Sequence, residues 1–218
     1  MSEAVSERLD AWSAFHPRIK APVWSYRLRT AAGTVFFDPL LDEERREEVL
    51  ASAAADPGAV TVLLTNRHHY RSAGLLRERL SARVLCHRAG LHEFSAEQGV
   101  EGFEPPPEGM SVVEGVEVLP VGVLCPEEVA YYLPGERALV VGDAVVGAPD
   151  GGVGFVPDAL MDNPEETKAG LLERLRTLLE TVDFETVLLA HGGPLPGAAG
   201  RRALERLVAE GGRTAFEL

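Results

Sequence analysis

The segment Ala59–Gly74 reads AVTVLLTNRHHYRSAG and joins a short apolar run to a cluster of polar and charged side chains. Val60–Leu64 is a continuous apolar run of strand length and β-branched character, which is typical of a strand buried on both faces. In layered α/β proteins, ligand sites form beyond the ends of such strands, where loops carry polar groups held by a rigid sheet. The first candidates for a functional site are therefore the residues that follow the run: Asn66, Arg67, His68, His69, Tyr70 and Arg71.

The composition is that of an ordinary globular protein. The chain has 218 residues and a formal net charge of −13. This length predicts a single domain over residues 1–218. The acidic balance argues against a nucleic-acid partner or an anionic membrane surface, because either would need a basic face. Lys20 and Lys168 are the only lysines among many arginines, a usage that suggests a bacterium with a GC-rich genome.

Neither the N-terminus nor the cysteines point to an exported protein. No apolar run approaches the roughly 18 residues of a membrane span. The first ten residues, MSEAVSERLD, lack a basic region followed by an apolar segment, so we expect a cytoplasmic protein. Cys86 and Cys125 have neither the spacing of metal ligands nor the density of a secreted disulfide scaffold, which predicts two reduced thiols.

The order of elements along the chain predicts an α/β fold. Val5, Leu9 and Trp12 lie at helical spacing among charged residues and predict a short helix over Ser2–Phe15. The clearest helix follows Asn163, since Pro164 and Glu166 complete a typical helix start before a long apolar stripe. The proline-rich stretch Glu101–Gly109 and the Gly/Pro-rich stretch Gly147–Pro157 are predicted loops. Further strands are predicted at Val23–Leu28, Thr34–Phe37, Arg83–Cys86, Val112–Leu119, Val129–Leu133, Ala138–Val141 and Thr186–Ala190, and further helices after Asp42, over Ser72–Leu80 and around Leu204.

Two later strands also end in polar residues. Ala138–Val141 is followed by Gly142 and Asp143, and Thr186–Ala190 is followed by His191 and two glycines. Taken singly, each feature is as typical of a turn or of a loop that needs positive φ as it is of a site. The other histidines, His16, His87 and His92, fit no such pattern and are predicted to be surface or packing residues.

The order strand-loop-His, strand-Gly-Asp and strand-His-Gly resembles the metallo-β-lactamase superfamily, from about the first hairpin to the last helix. The resemblance implies an αββα sandwich of two mixed β-sheets with helices on the outer faces. Members of this family place an H-x-H-x-D-H loop after an early buried strand. They add a histidine in mid-chain, an aspartate after a glycine and a late G-H-G.

Carried over residue by residue, the resemblance implies metal ligands at His68, Asp143 and His191 and places His69 at a variable position. The other four of the family's seven ligand positions are substituted, by Asn66, Tyr70, Arg71 and Leu124. Because each of two metal ions needs about four ligands, three residues are too few for a two-metal site. They suit at most one divalent ion, for which zinc, iron and manganese are all candidates.

Two functional hypotheses follow. One is a hydrolase-like protein with a single metal and, at most, residual hydrolase activity on a small-molecule ligand. The alternative is a metal-free binding or assembly module on the same fold. Arg67 and Arg71 favour the second hypothesis, because cations beside former ligands could replace the metal. In particular, Arg71 is predicted to pair with Asp143, since a buried carboxylate needs a partner. A nuclease is the weakest hypothesis, because the intact loop and a basic face are both missing.

Overall fold

The structure, a computed structural model, describes residues 3–105 and 111–216 and contains two large mixed β-sheets. The first sheet has the strand order β1 (Glu3–Ala4), β2 (Leu9–His16), β3 (Ala21–Arg29), β4 (Gly33–Phe37), β5 (Ala59–Leu63), β6 (Arg83–His87), β7 (Val100–Phe103). It is antiparallel from β1 to β4 and parallel from β4 to β7.

The second sheet contains β8 (Ser111–Val113), β9 (Val116–Pro120), β10 (Val129–Leu133), β11 (Ala138–Val141), β14 (Thr186–Leu189) and β15 (Gly193–Leu195). Its spatial order is β15-β14-β11-β10-β9-β8, and only β11 and β14 pair in parallel. A small separate hairpin is formed by β12 (Val146–Gly147) and β13 (Val153–Gly154). The helices are α1 (Glu43–Ala55), α2 (Ala73–Leu80), α3 (Pro164–Thr181) and α4 (Ala198–Ala209).

Three apolar layers hold these elements together. In β4, Val35 and Phe37 point into the layer between the two sheets, whereas Phe36 points to the outer face, where residues of α1 and α2 pack. Residues of α3 and α4 pack in the same way on the outer face of the second sheet. This alternation follows from the two-residue period of a strand, which places successive side chains on opposite faces. The predicted sandwich of two sheets with outer helices is confirmed.

Both predicted helix starts agree with the structure. The Asp42 side chain accepts a hydrogen bond from the Arg45 amide at the start of α1, and the Asn163 side chain accepts one from the Glu166 amide at the start of α3. These contacts satisfy amide groups that the first turn of a helix leaves without partners.

The predicted N-terminal helix over Ser2–Phe15 is wrong. Residues Leu9–His16 form β2, which pairs with β3 over eight residue pairs. Leu9 enters the layer between the sheets and Trp12 enters the outer layer. Because a strand buried on both faces carries apolar residues at mixed spacings, its pattern resembled that of a helix. Pro17 therefore belongs to the turn between β2 and β3 rather than to a helix end.

Two predicted loops contain short strands. The stretch Glu101–Gly109 begins inside β7, and its residues 106–109 lie outside the described residues. The stretch Gly147–Pro157 contains part of β12 and all of β13. None of the described helices combines the length and the apolar character that a membrane crossing requires.

Candidate functional site

The candidate site lies where three strands end. The chain leaves β5 through Leu64, Thr65 and Asn66 into a 3₁₀ turn over Arg67–His69. It leaves β11 through Gly142 into Asp143, and β14 through Ala190 into His191. Since β11 and β14 are parallel neighbours, with Val141 opposite Leu189, their ends reach the same edge of the second sheet. The loop after β5 brings the first sheet to that edge.

The 3₁₀ turn decides which histidine enters the site. The side-chain oxygen of Asn66 accepts a hydrogen bond from the His68 amide at 2.9 Å and caps the turn. The turn then directs the two adjacent histidines to opposite sides, so that His68 is exposed while His69 is only 4% exposed. It is therefore His69, assigned to a variable position of the family loop, and not the predicted ligand His68, whose ring lies beside Asp143 and His191.

Three ligand-type atoms form a nearly equilateral triangle. His69 Nε2 lies 3.3 Å from Asp143 Oδ1, and His191 Nε2 lies 3.2 Å from the same oxygen. The two Nε2 atoms are 3.4 Å apart. His69, Asp143 and His191 are the one group of metal-ligand side chains that converges in this way among the described residues.

A second layer of hydrogen bonds fixes two corners of the triangle. The Nδ1 atom of His69 lies 2.9 Å from Asp38 Oδ2 and 2.9 Å from the Thr65 hydroxyl. Thr65 in turn donates to Asp38 from its amide at 2.9 Å and from its hydroxyl at 2.7 Å. The other carboxylate oxygen of Asp143 accepts a hydrogen bond from the Asn66 amide group at 2.9 Å.

The electrostatics of this network follow from burial and from charge pairing. Burial alone would lower the pKa of His69, but the nearby charge of Asp143 outweighs it and raises that pKa to about 9. Burial favours the neutral form of Asp143, yet the His69 charge and the hydrogen bonds from His191 and His69 hold its pKa well below the usual range. Without a metal, His69 is therefore an imidazolium between two carboxylates, those of Asp38 and Asp143.

Glu128 is a further buried carboxyl group at the site. Its Oε1 atom accepts a hydrogen bond from the Ala144 amide at 2.7 Å, and its Oε2 atom has no partner among the described residues. Burial, followed by the charge of Asp143, raises the pKa of Glu128 to about 8. Burial and the neighbouring charge of Asp143 thus both favour the protonated form of this carboxyl group.

Two of the predicted pocket residues lie away from the triangle. The Tyr70 hydroxyl donates to the Gln98 carbonyl at 3.3 Å, and its ring packs against Phe94. Arg67 forms ion pairs with Glu127 and Glu93. Tyr70 therefore binds the loop to the segment after β6, and Arg67 binds it both to that segment and to the connection before β10.

The predicted ion pair between Arg71 and Asp143 is wrong. Within residues 3–105 and 111–216, neither Arg67 nor Arg71 comes within ion-pair distance of Asp143. Arg71 instead donates to the carbonyl groups of Trp24 and Asp38. The neutralising partner of Asp143 is His69, because the 3₁₀ turn places that imidazole between two carboxylates.

Sequence reasoning missed Asp38 and Thr65. Asp38 follows β4 directly, as Asp143 follows β11 after one glycine, so the pattern of a polar residue after a buried strand was present there too. Because Pro39 follows, the pair is equally typical of a chain turn, and the pattern did not single out Asp38. His16, predicted to be a surface or packing residue, also lies near the site. Its pKa is lowered by burial and then by the charges of Arg71, His191 and His69.

The triangle fits one metal ion. A tetrahedral ion with bonds of about 2.0–2.1 Å separates its ligand atoms by roughly 3.3–3.4 Å. The three observed separations are 3.2, 3.3 and 3.4 Å. Two imidazoles and one carboxylate are ligands that zinc, iron and manganese accept. Among residues 3–105 and 111–216, no second group of three such side chains converges.

The same architecture occurs in solved structures. A metallo-beta-lactamase from Erythrobacter litoralis with beta-mercaptoethanol in the active site superposes with a TM-score of 0.69 at 14% identity, covering 96% of each chain. A metallo-beta-lactamase family protein from Thermus thermophilus has a TM-score of 0.63 at 22% identity, covering 95% of this chain and 80% of that one. The mono-zinc form of FIM-1 from Pseudomonas aeruginosa has a TM-score of 0.68 at 11% identity, covering 96% of this chain and 95% of that one.

At these identities the structural likeness establishes the fold alone. A comparison with the curated proteins finds no match. The sequence model of the metallo-beta-lactamase superfamily, however, matches residues 3–210, nearly the whole chain. With the sandwich, the strand-end site and this match in agreement, the chain belongs to the metallo-beta-lactamase superfamily.

Proposed function

We propose that this protein is a hydrolase-like member of the superfamily with a single divalent metal held by His69, Asp143 and His191. The observation that carries the proposal is the triangle of His69 Nε2, His191 Nε2 and Asp143 Oδ1, with edges of 3.2 to 3.4 Å. Such an ion, when bound, supplies a Lewis acid and an activated water for hydrolysis.

The protein's own residues orient two of the three ligands. Asp38 binds Nδ1 of His69, which leaves Nε2 directed at the centre of the site. This is the carboxylate–histidine arrangement that fixes the tautomer and the orientation of a metal-binding imidazole. Asn66 binds one oxygen of Asp143 and leaves the other for the site. The positions of His69 and Asp143 therefore depend on contacts made within the protein.

The site lacks an evident general base. Tyr70 stands where the family loop carries an aspartate, and its hydroxyl is bonded elsewhere. Glu128 is only 1% exposed, so it does not reach a substrate. We therefore expect hydrolysis of generic lactam and thioester substrates close to the background rate.

A metal-free binding module is the second candidate, and a specific observation favours it. Both nitrogens of His69 and both oxygens of Asp143 already have partners within the protein. A site satisfied in this way does not need an ion to stabilise its buried carboxylates.

Zinc stoichiometry distinguishes the two candidates. Protein stripped with chelator, reloaded with zinc and dialysed should retain one equivalent per chain. His69→Ala and His191→Ala should retain none, and the half-buried position of His191 makes the second variant the safer one for folding. His68→Ala is the matched control, because this exposed neighbour should leave binding unchanged. Two equivalents in the wild type would refute the single-metal site, and none would support the metal-free module.

A further inference from the structure

Arg71 is anchored beside the site by one end of its guanidinium group. Its Nη1 group donates to the Trp24 carbonyl at 2.9 Å and to the Asp38 carbonyl at 2.8 Å. One acceptor lies in β3 and the other directly follows β4, so the anchor is the rigid backbone of the first sheet. The backbone of Arg71 has a φ of 42°, in the left-handed region that a non-glycine residue seldom adopts. The side chain is therefore held in place over a short, strained turn.

The opposite edge of the guanidinium has no protein partner. Among the described residues, neither Nε nor Nη2 of Arg71 makes a hydrogen bond, and no carboxylate oxygen lies within 4.0 Å. Neither nitrogen is fully enclosed, unlike the Nε atom of Arg46, which is buried without a hydrogen-bond partner among the described residues. Arg27 and Arg67, which are also largely buried, both have carboxylate partners, namely Asp10 and Glu127. Arg71 is thus a partly buried cation with one planar edge that no described residue occupies.

The nearby carboxylates cannot take that edge, because each is already engaged. Asp38 accepts from the amide and hydroxyl of Thr65 and from His69. Asp143 is bound by Asn66, His69 and His191. The charges of Asp38 and Asp143 favour the guanidinium form of Arg71, but neither carboxylate contacts its free N–H groups, so the oxygens of an incoming anion can bind there directly.

We propose that the Nε and Nη2 groups of Arg71 bind a singly charged oxyanion of the substrate or ligand, either a carboxylate or a phosphate diester. A guanidinium edge offers two parallel N–H groups, which match two oxygens of such an anion. This proposal adds a charged substrate class to the proposed function. It rests on that function only in treating the anion as part of a substrate. Binding of the anion itself requires no metal.

Small monoanions test the proposal directly. Acetate and dimethyl phosphate serve as probes, and acetamide is the uncharged control. Titration of chelator-stripped wild-type protein should shift the Nε–H resonance of Arg71 with a saturable, millimolar dependence on at least one anion. Acetamide should produce no such shift. The two anions distinguish a carboxylate site from a phosphodiester site.

A pair of variants completes the test. Arg71→Gln should weaken anion binding at least tenfold, whereas Arg83→Gln, which removes an exposed arginine paired with Glu101, should leave it unchanged. Zinc stoichiometry measured on both variants keeps this result separate from the metal proposal. If wild-type protein shows no saturable Nε–H shift with either anion, or if folded Arg71→Gln binds them as well as wild type, the proposal is overturned.

Discussion

Asp38 is the residue on which most of the buried contacts of the site depend. It accepts hydrogen bonds from Thr65 and His69, and its φ of 47° lies in the left-handed region. Asparagine tolerates that conformation and keeps the size of the side chain. Its NH₂ group, however, is a hydrogen-bond donor and would face the donor groups of Thr65 or His69. We expect Asp38→Asn to lower zinc affinity by about 10- to 100-fold, the usual effect of losing such a supporting carboxylate.

The measurement is competition against a chelating zinc indicator. Asp42→Asn is the matched control, because Asp42 caps α1 away from the site and asparagine caps a helix equally well. It should bind zinc like the wild type. Equal affinities for the two variants would show that Asp38 does not position His69.

The two cysteines should be chemically silent in the folded protein. Burial raises the pKa of the Cys86 and Cys125 thiols to about 12. Since the thiolate is the reactive form, a disulfide reagent at pH 8 should modify neither thiol in native protein and both after unfolding. A rapid reaction of one thiol under native conditions would contradict the burial of that residue.

The same thiols predict a loss of stability at alkaline pH. Their folded-state pKa is raised, so their contribution is fully present below the unfolded-state pKa, near 9, and is lost as pH rises towards 12. Between these two pH values, each thiol should lower the free energy of unfolding by about 1.4 kcal/mol per pH unit. Urea unfolding at pH 8 and pH 10 should show a steeper loss for wild type than for the Cys86→Ala/Cys125→Ala double variant. Parallel losses would assign the effect to other groups.

At the residue scale, the sequence indicated which strand ends meet but not which histidine joins them. The pattern of a polar residue after a buried strand singled out Asp143, His191 and the loop after β5, and side chains from these three places lie together in the structure. Which of His68 and His69 faces inward depends on a 3₁₀ turn closed by the Asn66 side chain. Neighbouring residues in such a turn point in different directions, and that geometry leaves no periodic signal in the sequence.

At the scale of elements, prediction succeeded where a pattern had only one interpretation. The start of α3 carries a cap, a proline and an apolar stripe that only a helix explains. In β2, by contrast, Leu9 and Trp12 suited a helix equally well. The pairing of β2 with β3, the next strand in the sequence, extends over eight residue pairs and decides that this segment is a strand. Propensity is a weak prior against such tertiary pairing.

At Gly200 in helix α4, packing against the sheet outweighs helix propensity. A Cβ atom at Gly200 would lie 2.5 Å from the Val187 amide nitrogen and 2.6 Å from the Leu195 carbonyl oxygen, both backbone atoms of the sheet below. Alanine is the better helix former by about 1 kcal/mol, yet the backbone cannot move aside. Gly200→Ala should therefore destabilise the protein by about 3 kcal/mol in urea unfolding, as overpacking does.

Gly170 in α3 provides the matched control. A Cβ atom there would meet only the Val123 side chain, at 2.9 Å, and a side chain can rotate. Gly170→Ala should change the free energy of unfolding by no more than about 1 kcal/mol, because the gain in helix propensity offsets the adjustment. Similar costs for the two variants would show that contact with the sheet backbone is not what Gly200 avoids.

At the scale of the whole molecule, two tyrosines join the sheets in a reciprocal way. Tyr26 of the first sheet donates to the Leu189 carbonyl at 2.7 Å, at the end of β14. Tyr131 of the second sheet donates to the Leu64 carbonyl at 2.7 Å, just after β5. Leu189 lies two residues before His191, and Leu64 begins the connection to His69. In both cases, a tyrosine of one sheet binds the end of a strand in the other sheet, and that strand end leads to a site histidine.

This arrangement predicts similar losses of stability for two conservative substitutions. Tyr26→Phe and Tyr131→Phe keep the ring in the layer between the sheets but leave a buried carbonyl without its donor, which costs about 1–3 kcal/mol. The double variant should lose the sum of the single losses, because the two hydrogen bonds share no partner. Urea unfolding of the metal-free protein measures all three values.

Tyr132 separates the effect of burial from that of the hydroxyl group itself. Its hydroxyl also donates to a backbone carbonyl at 2.7 Å, that of Asp183, but at an exposed position. Water can replace the lost donor there, so Tyr132→Phe should cost less than about 0.5 kcal/mol. If Tyr132→Phe costs as much as the buried substitutions, the stabilisation comes from the hydroxyl alone. If only the buried pair is costly, the two hydrogen bonds across the sandwich hold the site-bearing strand ends in place.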